Sequence, residues 1–129
     1  MEGEEMNKYF KASFLFSCIG IMTLIACLYP RTGYATPPES VVLKYTLATQ
    51  TLSVTVTHDT MLKGSHHIKY IEIKKNGAVV SINTYTEQPT GKTFTYQYKI
   101  PAIEEDTFQV KVTCNMWGNK SSAVLTVTQ

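Results

Sequence analysis

Three histidines, His58, His66 and His67, fall within ten residues of one another, and a cysteine follows much later at Cys114. Imidazole nitrogen and thiolate sulfur are donors that iron, copper and zinc accept. His58 shares parity with Leu52, Val54 and Val56 in an alternating run, so it points to the apolar side where that run ends. Cys114 shares parity with Phe108, Val110 and Val112 and is expected to point inward in the same way. Adjacent residues on a strand point to opposite faces, so His66 and His67 are not expected to serve one centre together. That leaves two imidazoles and one thiolate as a candidate metal set. Plainer readings stand beside it: a free cysteine is often just a small buried hydrophobe, and loop histidines are often solvated. Met61 and Met116 lie near these donors in sequence and would add the soft sulfur that suits copper, although methionine in a β core more often fills space.

The elements that must position these donors read as strands. After Thr36 no stretch shows helical periodicity, and β-branched and aromatic residues alternate with polar ones. Strands are expected near 41–48, 51–58, 67–75, 78–86, 92–100, 107–114 and 121–128. In the last of these Ala123, Leu125 and Val127 should face inward. Asn76-Gly77 between two apolar runs is a hairpin signal, because both residues tolerate positive φ. Gln88-Pro89-Thr90-Gly91 and Glu104-Glu105-Asp106 supply further turns. Seven short strands at this spacing imply an all-β fold, a seven-stranded immunoglobulin-like β-sandwich, here without a cysteine pair to bridge its sheets.

The first third reads differently. Residues 12–29 carry no charge and no proline, with Lys8 and Lys11 before them and small residues at Gly33 and Ala35 after. This is the pattern of a secretory signal peptide over 1–35, with the domain running over 36–129. Leu24-Ile25-Ala26-Cys27 also fits a lipobox, and the apolar run is close to the length of an uncleaved membrane anchor. Each version exports the domain to a periplasmic or cell-surface location. The 129 residues suit one domain, and a net charge of +2 with 17% charged residues makes no case for nucleic acid. Membrane contact is expected only through the N-terminal segment, if it is uncleaved or lipidated.

His58, then Gly64-Ser65-His66-His67-Ile68-Lys69-Tyr70-Ile71-Glu72-Ile73, then Cys114-Asn115-Met116-Trp117-Gly118, form a series that resembles the iron-binding domain of the superoxide reductase (desulfoferrodoxin) family. In that family an H-P-x…H-[HY]-I-x-[WY]-I-E-[LI] segment and a C-N-x-H-G segment supply metal ligands on an immunoglobulin-like sandwich. The resemblance implies a non-haem ferrous iron, held by four histidines and an axial cysteine thiolate, that reduces superoxide to hydrogen peroxide. It implies His66 as the histidine of the H-[HY]-I segment, Cys114 as the axial thiolate, and His58 as the histidine of H-P-x, here followed by Asp59. Trp117 stands where C-N-x-H has its histidine, and no histidine precedes His58. Lys63 would match the mobile lysine that attracts the anionic substrate; its plain reading is a solvated loop lysine.

Three functions are compatible with these residues. One is an exported superoxide reductase-like oxidoreductase that uses iron, with superoxide as its partner. Another is a metal-binding protein with an altered site, for which copper is the alternative ion. The last is a non-catalytic sandwich in which the Trp117 indole fills the metal's place and an edge strand recruits an unknown protein partner by strand addition. No Ser/His/Asp triad in usable order, P-loop or glycine-rich dinucleotide turn is present. Glu104-Glu105-Asp106 lacks the spaced oxygens of a calcium loop.

Overall fold

Alternation gives each long strand one apolar row, and two such rows must face each other to leave water. The structure, a computed structural model, describes residues 36–61 and 64–129. It contains β1 (Ser40–Thr46), β2 (Thr51–Thr57), β3 (Ile68–Lys75), β4 (Ala78–Thr84), β5 (Thr93–Lys99), β6 (Thr107–Cys114), β7 (Asn119–Ser121) and β8 (Leu125–Thr126), with a 3-10 turn at Leu47–Thr49. All pairings are antiparallel. One sheet has the order β1-β2-β5; the other runs β4-β3-β6-β7, with β8 also paired to β6.

Leu52, Val54 and Val56 of the first sheet join Ile71, Ile73, Phe108, Val110 and Val112 of the second in one core from which solvent is excluded. Burying each such side chain contributes on the order of 1.5–3 kcal/mol. The β3–β4 hairpin turns at Asn76 (φ 50°) and Gly77 (φ 81°), the paired left-handed conformations that asparagine and glycine favour.

The first six expected strands are present within two residues of their expected ends. The expected strand over 121–128 is instead two short segments, so the described residues hold eight strands rather than seven. Ser122 is the cause. It is buried, its Oγ accepts the Val110 amide at 3.0 Å and donates to the Ala123 carbonyl at 2.7 Å. A side chain thus replaces a ladder bond and the alternation slips: Val127 stays buried, Leu125 is half-buried and Ala123 is exposed. The segment over 1–35 lies outside the described residues.

Candidate metal centre

Three elements meet at one pole of the molecule. The apolar row of β2 continues one residue past the strand, and the His58 amide is tied to the Lys92 carbonyl at 2.9 Å. Ile68 at the start of β3 pairs with Cys114 at the end of β6, which sets the loop before β3 beside the thiol. His58, His66 and Cys114 are all buried, and one ligand atom from each lies within 4.8 Å of the others. The group could hold a metal ion. The His58 and His66 rings meet edge to face at 4.8 Å between centroids. His66 Nε2 is buried without a hydrogen-bond partner, a costly state for an imidazole nitrogen that a metal ion would relieve.

Surrounding groups orient the donors. Gln88, also buried, donates from Nε2 to the His58 carbonyl at 3.2 Å and accepts from His58 Nδ1 through Oε1 at 2.7 Å. This arrangement places the proton on Nδ1 and leaves Nε2 as the donor atom toward the cluster. Asn115 clamps the His66-His67 loop: its Oδ1 accepts the His67 amide at 2.9 Å, its Nδ2 donates to the Ser65 carbonyl at 2.8 Å, and its amide donates to the His67 carbonyl at 3.0 Å. The Met116 amide donates to Cys114 Sγ at 3.4 Å, and the Cys114 thiol faces Asn115 Oδ1 at 3.8 Å. Burial first, then the charges on His58 and His67, holds the His66 imidazole below its ordinary range, while the Thr36 carbonyl opposes that shift. His66 is therefore kept in the neutral form that ligates.

His58, His66 and Cys114 thus come together as a donor group, whereas Lys63 lies outside the described residues. His66 and His67 precede β3, which begins at Ile68, and both are buried, yet they do not share one centre, as expected. His67 stays outside the donor group. Trp117 does not fill the place of a metal: it is 69% exposed. Met61 is 93% exposed and Met116 55%, so both thioethers are turned largely to solvent rather than buried with the donors. Two residues that orient the site were not legible in advance. Gln88 reads as an ordinary turn residue before Pro89, and Thr36 enters through its backbone, which no residue type announces. No protein-family model, curated protein or solved structure matches the chain.

Proposed function

We propose that this domain is an exported metal-binding β-sandwich that holds a thiophilic ion through His58, His66 and Cys114, with copper the ion that the donor set fits best. The observation that carries this reading is the convergence of three buried donors around a His66 Nε2 that has no other partner. Two imidazoles and a thiolate suit copper and zinc, and copper binds such sites most tightly among the divalent first-row metals. A copper ion there would supply one-electron transfer. Donors with 0%, 7% and 6% exposure support electron transfer through the protein shell over direct attack on a dissolved substrate. The immunoglobulin-like character belongs to the same proposal. The order β1-β2-β5 against β4-β3-β6-β7 supports that reading, with the fourth strand in the second sheet rather than the first.

One observation favours a second reading, ferrous superoxide reductase chemistry. The three residues that the family resemblance implies as ligands are the three that converge, although Cys114 lies far along the chain from the two histidines. Only two imidazoles belong to this group, against four in the family, which leaves a ferrous ion weakly held.

Titration of the full chain with copper, zinc and ferrous iron, beside Cys114→Ser, tests both readings. The expected order is copper, then zinc, then iron, with a thiolate charge-transfer band on copper that Cys114→Ser removes. Stoichiometric iron binding tighter than zinc, with consumption of superoxide, would replace the copper reading by the second. A chain that takes up none of the three ions would sink both.

A further inference from the structure

The segment Thr36–Glu39 links the two sides of the donor group. Thr36 Oγ1 donates to the Asp59 carbonyl at 3.2 Å, and the Glu39 amide donates to the Thr57 carbonyl at 2.8 Å. Pro37 packs on Gly118 so closely that a Cβ on that glycine would lie 2.7 Å from the Pro37 Cβ. Pro38 is buried. The segment is therefore tied to the end of β2 on one side and to the loop after Cys114 on the other.

One of its contacts is chemically incomplete. Because Gln88 Nε2 donates to the His58 carbonyl, Gln88 Oε1 is the acceptor for His58 Nδ1–H. A neutral His58 then carries its lone pair on Nε2, and that atom lies 3.1 Å from the Thr36 carbonyl oxygen. A carbonyl oxygen has no proton to offer, so with this tautomer two acceptors face each other across a partly buried contact. Such a pair needs a cation, either a proton on Nε2 or a metal ion that both atoms bind. The Thr36 oxygen is well suited to the second role. It belongs to a Thr-Pro bond, whose tertiary amide nitrogen makes the oxygen electron-rich, and the proline fixes the chain beyond it.

We propose that the Thr36 carbonyl oxygen is the fourth ligand of the ion held by His58, His66 and Cys114. The inference rests on the metal-binding reading above. It completes a set of two nitrogens, one sulfur and one backbone oxygen, drawn from four separate stretches of chain, and backbone oxygen beside His2Cys is a combination that copper accepts.

Thr36-Pro37 is the single Thr-Pro pair in the sequence, which makes the oxygen directly observable. In the full chain labelled with 13C at threonine carbonyls and 15N at proline, one coupled carbonyl resonance reports on Thr36. Zinc ion is the diamagnetic probe, and protection of Cys114 from alkylation reports its binding. The Thr36 resonance is expected to shift in step with protection of Cys114. Pro37→Gly, which frees the segment but leaves all three side-chain donors, is expected to weaken zinc binding about 10- to 100-fold. Cys114 protection with an unmoved Thr36 resonance would overturn the proposal and leave a three-donor site. A resonance that follows pH but ignores zinc would also overturn it, since a proton alone then bridges the two acceptors. Failure of zinc to bind at all would remove both this proposal and the reading beneath it. The resonance decides the matter even if Pro37→Gly does not fold.

Discussion

Strands β3 and β6 end in polar clusters at both poles, and the two clusters are built on opposite terms. At the pole where β3 ends and β6 begins, every group of the cluster finds a partner. Asp106 accepts from Asn76 Nδ2 at 2.7 Å and from the Ile103 amide at 2.9 Å, and pairs with Lys75 at 2.9 Å. Asn76 Oδ1 accepts the Thr107 amide at 2.8 Å, and Lys75 also donates to the Pro101 carbonyl at 2.9 Å. These bonds hold the Asp106 carboxyl down at about 2. At the other pole His66 Nε2 and His67 Nδ1 have no partner, and His58 Nε2 meets the Thr36 carbonyl oxygen at 3.1 Å. A polar cluster that serves only the fold satisfies its atoms. The histidine pole leaves His66 Nε2 unmatched within its donor group, a cost that a bound ion would offset. The contrast is why the histidine pole is read as a ligand site and the aspartate pole as a structural clasp.

The comparison can be broken most decisively at Cys114. Cys114→Ser should lower copper or zinc affinity by more than ~100-fold, beyond the loss seen when only a supporting residue is changed, while the thermal midpoint of the metal-free protein stays near the wild-type value. Competition against a chelator and a thermal melt measure the two quantities. Retention of metal by the serine variant would dissolve the distinction between the poles.

Phe108 stacks on Tyr45 with 5.2 Å between ring centroids, near the clasp. Phe108→Ala should cost about 3–5 kcal/mol of folding free energy in a urea titration and leave the metal affinity of the folded fraction unaltered. A matching loss of affinity would mean that the poles are coupled through the core.

Gln88→Ala removes the acceptor for His58 Nδ1–H and should weaken metal binding by about 10- to 100-fold, with a smaller effect on stability. Gln88→Glu, which keeps an acceptor at Oε1, should recover much of that loss. Equal losses in both variants would assign Gln88 a purely structural part.

The smallest effect is expected at Asp106. Its carboxyl is held below the usual carboxylate value, so it stabilises the fold above roughly pH 3.9 and ceases to do so as the pH falls toward about 2. Asp106→Asn should lower the thermal midpoint at neutral pH, with the gap to wild type closing across that acidic window. Metal affinity should be unaffected. A gap that persists at pH 2 would show that the geometry of the carboxyl, rather than its charge, secures the clasp.

Period-2 alternation was enough to expose six of the strands, because burial on one face of a two-layer fold obliges the sequence to alternate. It also carried His58 and Cys114 inward, since each extends the apolar row of its strand by one position. The Asn76-Gly77 turn was equally plain, as few other pairs adopt its two left-handed conformations. Alternation said nothing useful where the backbone leaves the ladder. It misjudged the last strand, which Ser122 divides by bonding to the β6 backbone. The side chain of Trp117 could be assigned to the core or to solvent only by the loop that carries it.

Residue type and spacing alone determined an all-β chain with two imidazoles and one thiolate available to a single centre. Only the tertiary structure decided that His58, His66 and Cys114 meet, that His67 does not join them, and that Gln88 and the Thr36 carbonyl complete their surroundings. The reason is physical. A strand's own periodicity fixes which way its side chains face, but the distance between donors on different strands depends on how the two sheets pack and where their loops are tied. Backbone oxygens carry no signature in the sequence at all, since every residue has one.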